Sequence, residues 1–131
     1  MTAPTAAAGS LRQDARVIGL VTSAHFCSHF YQLVLPTLFV FMVDHYGYTY
    51  LELGALVSVF GIMSAVAQTP IGMLVDKIGA RWPLILATGT LGATIVGYGM
   101  VSSYEAMVVL AVIGGTANAV FHPADFSILA S

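Results

Sequence analysis

Gly72-Met73-Leu74-Val75-Asp76-Lys77-Ile78-Gly79-Ala80-Arg81 places one carboxylate, two cations and two glycines between two long runs that carry no charge. Charges are costly in hydrocarbon and collect where a chain re-emerges into water. The stretch therefore reads as a short, glycine-punctuated basic loop joining two membrane spans. Hydrophobic residues make up 58% of the chain and charged residues 8%, with a mean hydropathy of +0.89. A soluble domain carries roughly 25% charged residues, so the class is a membrane protein.

Outward from the loop, the charge map delimits the remaining spans. Residues 17–43, 53–75, 82–104 and 106–124 contain no Asp, Glu, Lys or Arg. A hydrocarbon core of about 30 Å needs roughly 20 helical residues. Four transmembrane helices are expected, at about 17–43, 53–75, 82–103 and 105–128, in an all-α membrane fold. None of the runs shows the dyad alternation of a membrane β-barrel.

Arg12 and Arg16 precede the first span, and Lys77 and Arg81 separate the second from the third. The connections around 44–52 and 102–105 hold no Lys or Arg. The positive-inside rule then places the N-terminus and the 76–81 loop in the cytoplasm, on the inner face of a plasma membrane. Residues 1–16 are expected to be a disordered cytoplasmic tail. A signal peptide fits less well, because the first apolar run exceeds an h-region and no clean small-x-small site follows it. A net charge of −2 gives no basis for a nucleic-acid partner, and the lone Cys27 allows no disulfide within the chain.

Small residues let membrane helices approach closely. Gly54, Ser58, Gly61 and Ala65 on helix 2, Gly89, Ala93 and Gly97 on helix 3, and Ala111, Gly115 and Ala119 on helix 4 share such faces. Tyr46, Tyr48, Tyr50 and Tyr104 suit interfacial anchoring. Two polar stripes interrupt the apolar spans. Thr22, His25, Ser28, His29 and Gln32 follow one face of helix 1, and Asn118, His122 and Asp125 follow one face of helix 4, where Pro123 is expected to bend the chain. Polar stripes in a membrane face protein or water rather than lipid, so both are expected to line a common cavity.

Each polar residue supports more than one reading. His25 and His29 are suited to proton or substrate handling, and equally to plain interhelical hydrogen bonds. Their i, i+4 spacing also matches a metal clamp, but no third ligand is fixed by local spacing; neither metal nor cofactor is expected. Asp125 reads as the aqueous end of helix 4 or as a buried functional carboxylate. No nucleophile–base pair or phosphate loop is present, so no enzyme is expected.

The spacing Gly72-x-Leu74-x-Asp76-Lys77-x-Gly79-x-Arg81 resembles the signature loop between helices 2 and 3 of the major facilitator superfamily. Trp82 stands where that family often has a further basic residue. Gly114-Gly115-Thr-Ala-Asn118-Ala-Val120-Phe121-His122-Pro123, together with Ser23-Ala-His25, Gln32-Leu-Val-Leu-Pro36 and Gln68-Thr-Pro70, is similar to the fosmidomycin-resistance-type exporter branch. The acidic residue falls one position later than usual there, at Asp125 rather than 124. The resemblance implies a secondary transporter of a small solute or drug, working by alternating access with proton-coupled efflux, and a twelve-helix fold of which this chain holds four. Helices 1 and 4 would line the cavity. Gly72, Asp76, Lys77, Gly79 and Arg81 would form a conformational loop, with Asp76 against a second half absent from these residues. Two other functions remain open: a non-transporting four-helix scaffold or remnant, and a small oligomeric exporter, which the absence of a membrane-embedded Glu in helix 1 disfavours. Physically, Gly72 and Gly79 permit close approach and a tight turn, Asp76 is placed to accept from helix amides or pair with a cation, and Lys77 and Arg81 to anchor at an anionic leaflet.

Overall fold

The computed structural model describes residues 11–129. Six helices build four segments: α1 (Leu11–Thr37) with α2 (Phe39–Tyr46), α3 (Tyr50–Ile78), α4 (Arg81–Tyr98), and α5 (Tyr104–Asn118) with α6 (Phe121–Leu129). Three of these segments are long and apolar enough to cross a membrane, namely Leu11–Tyr46, Tyr50–Ile78 and Tyr104–Leu129. The remaining one, α4, has 18 residues, about 27 Å at 1.5 Å each and slightly short of a hydrocarbon core. It ends at Tyr98 rather than near 103, because Ser103 adopts extended backbone to cap α5 and accepts from the Ala106 amide at 3.3 Å.

Capping and proline chemistry move the other boundaries too. The tail expected over 1–16 is helical from Leu11 onward, continuous with the span that follows; residues 1–10 lie outside the described residues. α3 starts at Tyr50 rather than 53. Thr49 forms a reciprocal capping box with Glu52, donating its amide to Oε2 at 2.8 Å and accepting the Glu52 amide at 3.2 Å. The first span is broken, not continuous to 43. Pro36 has no N–H for the Gln32 carbonyl, the Leu38 amide turns back to Leu35 O at 3.0 Å, and α2 resumes beyond it.

α3 and α5 form the most extensive contact, with α4 packed on α5 and α1 laid across α4 and α6. Two apolar clusters hold the bundle. One, at the end bearing the basic loop, joins Val75, Ala87, Leu91, Val120, Phe121 and Ala124. The other, at the opposite end, joins Leu35, Met42, Leu53, Leu56, Tyr98 and Met107. Tyr48 donates to the Ser102 carbonyl, and Tyr104 to the Glu52 carbonyl at 3.0 Å, so two of the expected anchoring tyrosines tie loops together.

Only part of the small-residue pattern makes the packing face. Ala111, Gly115 and Ala119 are buried, and a Cβ on Gly115 would lie 2.3 Å from the Phe60 carbonyl oxygen. Gly97 abuts Leu110. Gly54, Gly61 and Gly89 have open space where a Cβ would stand, and Ser58, Ala65 and Ala93 are exposed. Those faces of α3 and α4 look outward because the large side chains Leu53, Leu56, Val75 and Leu91 take the inward positions.

Candidate functional site

The two polar stripes meet where α1 crosses the last segment. His25 Nδ1 lies 2.7 Å from Asp125 Oδ2, linking α1 to α6, and His25 Nε2 lies 3.0 Å from His29 Nε2. His122 stands edge-on to His25 with ring centroids 5.3 Å apart. Asp125 is buried, His25 is half-buried, and His29 and His122 are exposed. These four side chains, with Thr22, Phe26 and Phe126, line an open cleft of about 500 Å³. Asp125 thus sits inside the bundle rather than at a solvated helix end. Its Oδ1 is buried and has no hydrogen-bond partner among the described residues.

Two turns further along α1, Gln32 Nε2 donates to Asn118 Oδ1 at 3.1 Å, and Asn118 Nδ2 donates to Ser64 Oγ at 2.9 Å. This chain of amides joins α1, α5 and α3 between the two apolar clusters. Ser64 was not singled out by the sequence; its signal is a hydroxyl inside the charge-free run of helix 2. Ser28, also on the α1 stripe, is buried, whereas Thr22 is exposed at the cleft.

The last segment breaks at Ala119–Val120, four residues before Pro123 rather than at it. Pro123 removes the amide that would reach the Ala119 carbonyl, and the ladder closes instead through Val120 N to Ala117 O at 3.2 Å. Pro123 itself sits in the first turn of α6, where a missing N–H is tolerated. The break falls directly after Asn118. Interrupted membrane helices are stable where the freed backbone is buried in protein or lines a cavity, and this one is buried on Phe121 and Ala124.

The signature loop is ordered around Gly79. That residue has φ +83° and its amide donates to Val75 O at 2.8 Å, closing α3. A Cβ at Gly72 would touch Pro123 at 3.5 Å, so α3 approaches α6 closely there. Asp76 departs from expectation. It is exposed and makes no ion pair or side-chain hydrogen bond among the described residues. Val75 takes the inward position on that turn, and one step of about 100° carries Asp76 outward. Lys77 and Arg81 are exposed as well.

Among the described residues no group of three His, Cys, Asp or Glu side chains is arranged to hold a metal ion. Both His25 nitrogens are already engaged, one by Asp125 and one by His29. A second groove, of about 480 Å³ between α3, α4 and α5, is lined by Leu74, Trp82, Leu86 and Val112 and is almost wholly apolar.

Residues 21–131 match the model of the Major Facilitator Superfamily. The chain belongs to that superfamily. It is 23% identical over 124 residues to the fosmidomycin resistance protein of Escherichia coli, an alignment covering 92% of this chain and 30% of that protein. It is 33% identical over 90 residues to an uncharacterized MFS-type transporter of Mycobacterium tuberculosis, covering 68% of this chain and 22% of the relative. The chain thus spans less than a third of the length of the curated relatives it matches. No solved structure matches significantly. The signature loop and the helical membrane fold read from the sequence accord with this membership.

Proposed function

We propose that these residues form the first four membrane segments of a secondary transporter that moves a small solute or drug out of the cell by alternating access, driven by protons. The carrying observation is the His25–Asp125 pair, set with His29 and His122 in an open cleft between α1 and α6. A titratable cluster inside otherwise charge-free spans is costly to keep and marks ion or substrate paths. The similarity to the fosmidomycin resistance protein supports efflux of a small drug or metabolite. Superfamily membership supports a transporter rather than an enzyme. Gln32 and Asn118 border the same seam and would complete the polar wall.

In this reading the cleft is one side of a cavity whose other side comes from a second half of the transporter. The lipid bilayer, the solute and protons are its partners. The N-terminus and the 76–81 loop face the cytoplasm of a bacterial inner membrane, as the basic residues direct. Asp76, without an ion pair or side-chain hydrogen bond among the described residues, is available to contact that second half.

The test uses the protein expressed from its complete gene in proteoliposomes, with fosmidomycin as the probe and an imposed proton gradient. Gradient-dependent flux is expected, and His29→Ala or His122→Ala should impair it or shift its pH dependence. Unchanged rates and pH profiles in both variants, at equal expression, would remove the histidines from the function. Reading the gene past the Ser131 codon separates the alternatives: an open frame with about eight further spans supports the transporter, whereas an immediate stop supports a scaffold or a self-assembling exporter.

A further inference from the structure

We infer that His29, His25 and Asp125 form a proton relay between the cleft on α1 and the buried carboxyl on α6, its resting polarity set by the hydrogen bonds between them. The inference rests on the proton-coupled reading above and goes beyond it by assigning the order, the atoms and the tautomers. His25 Nδ1 faces Asp125 Oδ2 at 2.7 Å, and His25 Nε2 faces His29 Nε2 at 3.0 Å. An ionised carboxylate only accepts, and a neutral imidazole has one N–H. His25 must therefore carry its proton on Nδ1, which leaves its Nε2 bare. The proton in the second bond then belongs to His29 Nε2, and His29 Nδ1 is the bare acceptor at the exposed end. With both histidines neutral and the carboxylate ionised, this is the one arrangement that satisfies both bonds. In it every donor points toward Asp125.

Transfer follows with atoms and charge balanced. A proton delivered by hydronium, which departs as water, binds His29 Nδ1. The His29 Nε2–H bond breaks as that proton bonds to His25 Nε2, and the electron pair stays on His29. The His25 Nδ1–H bond breaks as Asp125 Oδ2 takes its proton, and that electron pair stays on His25. Both histidines end neutral with their tautomers exchanged, and Asp125 ends as a neutral acid. One proton has entered and one negative charge has gone. The destination is a carboxyl whose second oxygen, Oδ1, is buried and has no hydrogen-bond partner among the described residues.

The surroundings leave the relay its own path. From α6, His122 lies beside His25 edge-on, with no hydrogen bond between them among the described residues. From α3, the uncharged Gln68 borders His122. Among the described residues, no charged side chain of α3 or α4 pairs with any of the four. His29 is exposed while Asp125 is buried, so the chain runs from the accessible end inward.

A static tie between α1 and α6 would show the same distances, so the test separates geometry from transfer. The protein from its complete gene is placed in lipid nanodiscs for NMR of isotope-labelled histidine, and in proteoliposomes loaded with a pH dye, with an imposed proton gradient and fosmidomycin as the probe. The spectra are expected to show His25 protonated on Nδ1 and His29 on Nε2. His25→Asn keeps an amide N–H near the Nδ1 position, so it retains the tie to Asp125 but shuttles no proton. That variant and Asp125→Asn should lose proton flux at least about tenfold. Ser23→Ala, whose hydroxyl among the described residues bonds only the Gly19 carbonyl on α1, should keep it. A His25 proton on Nε2, or full flux in His25→Asn beside an active wild type, overturns the relay alone. Absence of flux in the wild type despite the expected tautomers overturns proton coupling, and the relay with it. The wild-type spectra decide the polarity even where a variant fails to fold.

Discussion

Gly115→Ala probes the closest approach in the bundle. The added Cβ would stand 2.3 Å from the Phe60 carbonyl oxygen and 2.9 Å from the Met63 Cβ. The first of these is backbone, so no rotamer change relieves it. Ordinary contact needs roughly 3.5 Å, and α3 and α5 must separate by about 1 Å to reach it. Overpacking on this scale costs about 1–3 kcal/mol. The same shift would stretch the 2.9 Å bond from Asn118 to Ser64 out of range, at a further cost of about 0.6 kcal/mol. The helix preference for alanine over glycine offsets about 1 kcal/mol. The net expectation is a loss of about 0.6–2.6 kcal/mol in the free energy of unfolding, followed by circular dichroism in mixed micelles of mild detergent and dodecyl sulfate. Gly61→Ala is the control. Its Cβ meets nothing within 4 Å, so it should gain up to about 1 kcal/mol. Equal unfolding energies for the two variants would refute the idea that α3 and α5 are held at backbone contact.

Three further outcomes follow from the geometry. Thr49→Ala removes the capping box and should cost about 1 kcal/mol, with faster amide exchange confined to the first turn of α3. Asp76→Asn, at an exposed and unpaired position, should leave unfolding within about 0.5 kcal/mol of wild type yet reduce transport; full transport would strip Asp76 of its conformational role. In a Cys27→Ser background, a cysteine at Lys77 should react with a membrane-impermeant maleimide only in inside-out vesicles, and one at Ser102 only in right-side-out vesicles. The reverse pattern would invert the topology.

Much of the fold is legible in the charge map, because in a membrane the position of a charge is nearly the position of the surface. That is why the 76–81 loop and the four segments could be placed. The helix ends are not legible there, because an N-cap such as the Thr49–Glu52 box or the extended Ser103 sets where a helix begins, while charge sets only where hydrocarbon stops. The break at Ala119–Val120 follows from Pro123, whose missing amide acts on the preceding turn, so the bend falls earlier than Pro123 itself, whereas the break at Leu38 comes two residues after Pro36. Small residues proved ambiguous for a physical reason. A glycine face permits close approach but does not demand it, and Gly115 is packed while Gly61 and Gly89 are open. The polar stripes on α1 and the last segment do converge. Their partner Ser64 escaped notice because a lone serine in an apolar helix looks like any other small residue.

The two cross-helix pairs have a shared arithmetic. His25 and Gln32 are seven residues apart on α1, and their partners Asp125 and Asn118 are seven apart on an antiparallel segment. Seven residues are close to two full turns, so both pairs lie on one seam about 10 Å apart along it. They act together as a vernier. Sliding α1 by a single residue, about 1.5 Å, would mismatch both pairs at once, and sliding it by a whole turn would set His29, not His25, beside Asp125. Apolar packing in lipid tolerates such slippage cheaply, since one leucine face resembles another. In this bundle the polar side chains, few as they are, are what give α1 a single permitted height.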